Sequence, residues 1–153
     1  MFSVALVEPE IPQNTGNIAR LCAATRTPLH IVGVTGFRMD DRAVRRAGLD
    51  YWDEVSITRH RDLEKLQASQ PHARMLYFST KGECSVWDYK FERDDCLVFG
   101  PETRGLPEPL LKANWDRCLT IPMLNPNVRS LNLANAVSIA LYEALRQLQT
   151  ARR

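Results

Sequence analysis

The sequence predicts an α/β fold in which a parallel sheet is flanked by helices. Short apolar runs bounded by turn residues alternate along the chain with segments of helical periodicity, and this rhythm is typical of parallel sheets with crossover helices. Most of the runs are continuously apolar, as in strands that are covered on both faces.

Each run supplies one predicted strand, and the segments between them supply the helices. The predicted strands are residues 3–7, 29–34, 55–58, 75–79, 96–99 and 118–121, and the predicted helices are residues 15–25, 41–47, 62–67, 107–112 and about 132–149. The last helix is the best defined, because apolar residues recur in it at three- and four-residue spacing. They are Leu133, Val137, Ala140, Leu141, Ala144, Leu145 and Leu148. Packing on the sheet is the favoured interpretation, although so broad a stripe could also serve a partner subunit.

Length and composition indicate one compact globular domain, residues 1–153. Hydrophobic residues make up 44% of the chain and charged residues 25%, which excludes a disordered or fibrous protein. The net charge of +2 says little about a polyanionic partner, so local clusters must decide. These clusters are Arg42 with Arg45 and Arg46, Arg59 with His60 and Arg61, and Arg152 with Arg153. Each is equally well interpreted as a solvated face.

Cysteine usage and the amino-terminal segment favour a cytoplasmic protein. Cys22, Cys84, Cys96 and Cys118 form no C-x-x-C pair, and the three histidines have no metal-ligand spacing, so we expect reduced thiols and no metal. The opening MFSVALVEPE has no basic region and predicts a strand rather than a signal peptide. No apolar run is long enough to cross a membrane.

Three loops, each following a predicted strand, are rich in Gly, Pro and Asn. They are residues 12–20, 99–107 and 121–132. In open parallel sheets, ligands bind beyond the carboxyl ends of the strands. The second loop has the G-x-x-x-x-G spacing of a phosphate-binding P-loop, but Leu106 and Pro107 stand where Lys and Ser or Thr are required. No G-x-G-x-x-G follows the first strand, so a conventional dinucleotide site is also unsupported.

Side chains in the first two loops leave two interpretations open. Asn14 or Thr15 is expected to cap the following helix, whose free amides could face an anion. Arg20, one turn further, lies off the apolar side and could be an ordinary surface arginine. Glu102 is the only acid of the second loop and could equally be a solvated glutamate in a tight turn.

In this order and spacing, the three loops resemble the three motifs of the SPOUT superfamily of RNA methyltransferases. The strings EPEIPQNTGNIARLCAAT, RRAGLDYW, FGPETRGLP and RSLNLANAVSIALYEALRQL resemble in particular its small single-domain TrmL or YibK group, which 2′-O-methylates the wobble cytidine or uridine of certain tRNA-Leu species. The resemblance covers essentially the whole chain. It implies a deep trefoil knot at the C-terminus, although general folding rules would have excluded one, and it implies a homodimer.

The resemblance also implies the roles of single residues. The residues that it places around S-adenosyl-L-methionine are Phe78, Gly100, Gly105, Ile121, Met123, Ser130 and Leu131. Arg20 is the motif arginine and the implied catalytic residue, and Glu102 is the motif glutamate. Arg20, Asn132 and Tyr142 are implied on the side that binds the tRNA anticodon stem-loop. The segment 124–128, LNPNV, departs from the family pattern, which puts the closing of the cofactor loop in question.

Methyl transfer to a ribose hydroxyl is an in-line displacement, so alignment of the reacting atoms supplies much of the acceleration. A guanidinium loses its proton only far above neutral pH, and we therefore favour a role for Arg20 in binding phosphate and stabilising the developing alkoxide, rather than a role as base. Two rivals remain open: a related ribose methyltransferase acting on ribosomal RNA, and an RNA-binding assembly factor without turnover.

Overall fold

The computed structural model describes residues 1–40 and 42–150, and only the backbone of residues 48–50 and 150. Its strands are β1 (Ser3–Val7), β2 (Leu29–Val32), β3 (Ile57–His60), β4 (Met75–Phe78), β5 (Cys84–Ser85), β6 (Cys96–Phe99) and β7 (Cys118–Thr120). Its α-helices are α1 (Pro12–Thr25), α2 (Arg42–Gly48), α3 (Leu63–Ser69), α4 (Glu108–Ala113) and α5 (Leu133–Thr150), with short 3-10 helices at Leu49–Glu54 and Trp115–Arg117.

The seven strands form one sheet in the order β3-β2-β1-β6-β4-β7-β5. Each strand pairing that the described residues form is parallel, as the alternating pattern predicts. The central strands β1, β2, β4 and β6 are almost entirely buried, which explains why their sequences are continuously apolar.

Helices cover both faces of the sheet. On one face α1 and α5 pack against alternate strand residues, with Ile18 and Val137 fully buried. On the other face α3 and α4 bring Leu66 and Leu111 into a second core cluster. The predicted apolar stripe of α5 therefore packs on the sheet, as the favoured interpretation had it.

The helix α2 packs against α1 rather than against the sheet. Gly16 of α1 is the contact point, because a Cβ atom there would lie 2.5 Å from both the Cβ atom of Ala47 and the carbonyl oxygen of Val44. Only glycine permits so close an approach of the two helices. The exposed arginines of α2 consequently point away from the protein.

A buried ion pair fixes the start of β6. The carboxylate of Asp95, only 1% exposed, accepts hydrogen bonds from Nε and Nη2 of Arg74 at 2.7 and 2.8 Å. It also accepts one from the backbone amide of Glu92 at 2.7 Å. With its oxygens bonded, the carboxylate is compensated in a site where an unpaired charge would be strongly destabilising.

The predicted element boundaries hold to within about three residues, with several corrections. The strand predicted at 55–58 begins two residues later, at Ile57, and the two-residue strand β5 was not predicted. The prediction that Asn14 or Thr15 caps α1 is wrong, because the helix begins at Pro12 with Ile11 as its N-cap. Proline is pre-organised for the first helical position, so the helix starts one turn earlier. Asp41, Arg152 and Arg153 lie outside the described residues.

None of the helices in the described ranges is long and apolar enough to cross a membrane.

Candidate active site

The loops that follow β4, β6 and β7 meet in one cleft of about 510 Å³. These three strands are neighbours in the sheet, so their carboxyl ends open at the same edge, where parallel sheets bind ligands. All seven residues that the sequence resemblance assigns to the cofactor line this cleft: Phe78, Gly100, Gly105, Ile121, Met123, Ser130 and Leu131. The structure thus brings them together from three separate segments, and their role in binding stays a prediction.

Two glycines allow the floor of the cleft to form. A Cβ atom on Gly100 would collide with the backbone of Gly105 and Leu106, so the two ends of the loop pack directly on each other. Gly105 has φ +67°, in the left-handed region, and open space beside it. Glycine is favoured at both positions, for close approach at Gly100 and for backbone conformation at Gly105.

The cleft is mixed in character, with apolar walls and charged edges. The rings of Phe78 and Phe99 stack with their centroids 4.5 Å apart, and buried Leu106 and Leu119 line the cleft as well. Exposed cationic side chains reach the cleft from the loop after β4 and from the last loop. They are Lys81 and Arg129.

Glu102 joins the first and second loops. One of its carboxylate oxygens accepts a hydrogen bond from the backbone amide of Glu10 at 2.9 Å, and the other accepts one from the amide of Ile11 at 2.6 Å. These amides precede α1, so the carboxylate lies at the positive end of the helix dipole. The interpretation of Glu102 as a solvated glutamate is therefore wrong, and the expected anion at this helix end is a side chain of the protein itself.

Asn14 extends this connection to the third loop. Its Nδ2 donates to Glu102 at 3.3 Å, and its Oδ1 accepts from Nδ2 of Asn132 at 3.0 Å. Asn14 is buried and uses both ends of its amide in this way. Three segments that lie up to 118 residues apart are thus held in one polar chain, Glu102–Asn14–Asn132.

A second set of contacts ties the same loops together at the surface. Thr103 donates to a carboxylate oxygen of Glu10 from its backbone amide at 3.0 Å and from its hydroxyl at 2.7 Å, and these bonds lower the pKa of Glu10. Arg104 forms an ion pair with Glu8. Both pairs are exposed, and we attribute positioning rather than much stability to them.

Arg20 and Tyr142 do not line the cleft of their own chain. Arg20 lies exposed on α1, with its guanidinium carbon 4.8 Å from the centroid of the Tyr51 ring. Tyr142 is 55% exposed on the outer face of α5. Asn132, by contrast, lines the cleft and joins the polar chain described above.

The cysteines do not line the cleft, and all four are free. Burial raises the pKa of the Cys22 thiol to about 12 and that of Cys96 to about 11, so neither is a nucleophile near neutral pH. In the described part of the chain, no three His, Cys, Asp or Glu side chains gather as they would around a metal ion.

Sequence reasoning missed the residues that extend the cleft beyond β4. Ser79, Thr80 and Lys81 follow Phe78 directly and line the cleft. Their position after a buried strand was a usable signal, because β4 lies between β6 and β7 in the sheet. The hydrogen bonds of Asn14 had no such signal, since both of its partners are distant in sequence.

Comparison with known proteins assigns the chain to a family. Residues 1–142 match the model of the SpoU rRNA methylase family. The chain belongs to that family. Two curated relatives bear the name tRNA (cytidine(34)-2′-O)-methyltransferase. The one from Escherichia coli K12 is 47% identical over 97% of this chain and 94% of its own length, and the one from Saccharophagus degradans is 48% identical over 97% and 96%.

Solved structures of similar sequence have the same fold. One, described as giving structural insights into the 2-OH methylation of C/U34 on tRNA, is 46% identical, covers 98% of this chain and 97% of its own, and superimposes with a TM-score of 0.93. The SpoU methyltransferase AviRb from Streptomyces viridochromogenes, in complex with the cofactor AdoMet, is 27% identical with a TM-score of 0.81, over 96% of this chain and 57% of AviRb.

Proposed function

We propose that this protein is a single-domain methyltransferase that transfers a methyl group from S-adenosyl-L-methionine to the ribose 2′-hydroxyl of the wobble nucleotide, cytidine or uridine, in the anticodon stem-loop of tRNA-Leu species. The observation that carries the proposal is the near-full-length likeness to relatives named for this reaction at position 34. The four free cysteines suit a reducing compartment, and we place the reaction in the cytoplasm.

The cleft between the three loops fits a cofactor of this kind. Gly100 lets the two ends of the second loop pack directly on each other at the floor of the cleft. Ile121, Met123 and Leu131 line the cleft and would supply apolar contacts to the cofactor. A cavity of about 510 Å³ is within the usual range for binding sites of small molecules and cofactors. The seven lining residues named above would hold the cofactor, largely through the backbone of the loops.

In this reaction, the protein mainly has to align the reacting atoms and stabilise the developing charge. S-Adenosyl-L-methionine supplies an electrophilic methyl group bound to a positively charged sulfur. The walls of the cleft would fix the direction in which the ribose hydroxyl approaches the methyl group. Arg20 would bind an RNA phosphate and stabilise the negative charge that develops on the ribose oxygen as its proton passes to solvent water. Glu102 and Asn14 do not contact the reacting atoms in this scheme, but they hold α1 against the two cofactor loops.

We further propose that the active enzyme is a homodimer that brings Arg20 and Tyr142 of one copy near the cleft of the other. Neither residue lines the cleft of its own chain, and Ile139 and Tyr142 leave an apolar strip, 41% and 55% exposed, along α5. We expect light scattering to give twice the chain mass of 17.5 kDa at micromolar concentration. The variant Ile139→Asp should shift the mass toward the monomer and lose methyl transfer. A wild-type monomer with full activity contradicts the proposal.

We also propose that the C-terminal segment passes through a loop of the chain and forms a trefoil knot. The proposal rests on the resemblance to the family motifs, and contacts at both ends of α5 hold that segment against the rest of the chain. Asn132, just before the helix, is bonded to Asn14 of α1, while Gln147 near its end accepts from the amide of Phe91 and donates to the carbonyl of Tyr89. An experimental structure that traces residues 121–132 tests this. A chain path in which the C-terminal segment passes through no loop would contradict the proposal.

An anticodon stem-loop with a 2′-deoxy wobble nucleotide tests the acceptor atom. We expect this RNA to bind about as well as the native one, because phosphates and bases supply most contacts, yet to accept no methyl group. Mass spectrometry of nuclease digests should place the methyl group of the native product on the ribose. Incorporation into the deoxy RNA at the native rate would assign the reaction to a base or another nucleotide.

Two further measurements separate the proposal from its rivals. Methyl incorporation into ribosomal RNA but not into total tRNA would favour the ribosomal alternative. Calorimetric binding of S-adenosyl-L-methionine without turnover on either RNA would favour an RNA-binding assembly factor.

A further inference from the structure

The contact between Arg20 and Tyr51 has a structural origin in the packing of α1. Gly16 and Arg20 lie one helical turn apart and therefore share a face of α1. Gly16 is the point at which α2 docks, and the 3-10 helix Leu49–Glu54 continues from α2. The same docking thus carries Tyr51 to Arg20, where the guanidinium carbon lies 4.8 Å from the ring centroid.

Arg20 differs in its partner from other arginines of the protein. Arg38, Arg74, Arg104 and Arg146 contact carboxylates. Over the described ranges, Arg20 has neither an ion pair nor a hydrogen bond, and its guanidinium lies over the face of the Tyr51 ring. Both partners are exposed, Tyr51 to 39%.

An aromatic ring and a carboxylate differ in what they leave available on an arginine that they contact. A carboxylate neutralises the guanidinium and occupies two of its N–H donors. A ring attracts the cation through its negative face, and so the N–H donors stay free and the charge remains uncompensated. A residue that must bind an RNA phosphate or a developing alkoxide needs free N–H donors and an uncompensated positive charge.

We propose that Tyr51 is a positioning residue for methyl transfer, which holds the Arg20 guanidinium in place through its ring face and keeps the N–H donors available to RNA. The proposal rests on the function proposed above, in which Arg20 faces the ribose and its phosphate. The aromatic ring of Tyr51 positions the guanidinium in this proposal, and the hydroxyl group of Tyr51 is not required.

Replacement of the ring tests this with a matched pair of variants. In Tyr51→Leu, which lacks the aromatic face, we expect kcat to fall about tenfold or more, with the affinity for S-adenosyl-L-methionine unchanged. Tyr51→Phe keeps the face and should stay within about twofold of the wild type, since Phe also binds cations through its ring. Equal loss in both variants, or no loss in Tyr51→Leu, overturns the proposal. Absence of methyl transfer by the wild-type protein would instead reject the proposed function.

A double-mutant cycle on tRNA affinity separates positioning from general damage. Tyr51→Leu and Arg20→Ala should each weaken binding in fluorescence anisotropy, and the double variant should bind no more weakly than Arg20→Ala alone. Additive losses would mean that Tyr51 acts independently of Arg20 and would overturn the proposal. The cycle remains decisive if Tyr51→Leu lowers the thermal midpoint, because a purely structural loss adds to that of Arg20→Ala.

Discussion

At the scale of single residues, the proposed chemistry depends on Arg20, which stands apart from the cofactor loops. The guanidinium lies on α1 over Tyr51, whereas the cleft is built from the loops after β4, β6 and β7. In Arg20→Ala we therefore expect methyl transfer to be abolished and the affinity for S-adenosyl-L-methionine to be nearly unchanged. Single-turnover assays and calorimetry measure the two quantities separately. A normal rate in this variant would remove Arg20 from the mechanism.

The backbone around Gly100 leaves no room for a side chain. In Gly100→Ala the new Cβ atom would collide with the backbone of Gly105 and Leu106, and the loop must shift. We expect the affinity for S-adenosyl-L-methionine to fall about tenfold or more.

Gly105→Ala is the matched control for that variant. Its Cβ atom meets nothing within 4 Å, so it costs only the strain of a left-handed backbone, about 1 kcal/mol. Its thermal midpoint should therefore fall slightly while cofactor affinity stays closer to that of the wild type. Calorimetric titration that finds the two variants equal would contradict the collision as the cause.

At the scale of helices and strands, α2 presents the basic surface that the sequence left open. Val44 is buried toward α1, while Arg42, Arg45 and Arg46 are all exposed. If this face binds phosphates, replacing the three arginines with Gln should make log tRNA affinity depend less steeply on log salt concentration. The slope should become shallower by about 0.7–0.9 for each phosphate contact that is lost. Binding isotherms at several salt concentrations give the slope.

The control for this slope is a pair of cations at the opposite edge of the sheet. Lys90 and Arg93 are exposed just before β6 begins, on the amino side of the strands. Changing both to Gln should leave the slope unaltered. Equal slopes for the wild type and the α2 variant would mean that α2 is only a solvated face.

The elements were predictable from sequence to the extent that burial determines their composition. β1 and β6 are buried strands and were predicted at their observed limits. β3 has no fully buried residue, so its sequence carries a weak apolar signal, and the predicted start lies two residues before the observed one. β5 has only two residues, too few for any periodicity.

The site was predictable where its residues follow strands, and unpredictable where distant side chains meet. The resemblance to known motifs gave the seven residues that line the cleft. It gave Glu102 as a motif residue, but not its bonds to the amides before α1, which lie 91 and 92 residues away. Such a contact depends on the order of strands in the sheet, and local sequence does not encode that order.

At the scale of the whole molecule, a buried histidine makes stability depend on pH. Nδ1 of His30 on β2 is 2.9 Å from Nε2 of His60 on β3, and Nε2 of His30 is 3.1 Å from the side-chain amide nitrogen of Gln70. Burial, followed by the nearby His60, lowers the pKa of His30 from 6.5 to about 4. Between these two pKa values, His30 of the unfolded chain therefore binds a proton that His30 of the native state does not bind.

The sign of the effect follows from that difference. The contribution of a neutral, buried His30 is fully present above pH 6.5 and is lost as the pH falls toward 4, by up to about 3 kcal/mol. Urea unfolding at a series of pH values measures it. His30→Gln should flatten the slope in this window, and the exposed His72→Gln should not. An unchanged slope in His30→Gln would assign the pH dependence to other groups.

The chain Glu102–Asn14–Asn132 makes the amino-terminal end of α1 and the cofactor loops a single cooperative unit. The amide of Glu10 is bonded to Glu102, and its hydrogen can exchange with solvent only when that bond opens. A ligand that holds the second and third loops in place disfavours the opening. S-Adenosyl-L-methionine should therefore slow deuterium uptake at Glu10, a residue that does not line the cleft. In Asn14→Ala, where the link to Asn132 is cut, the protection should shrink.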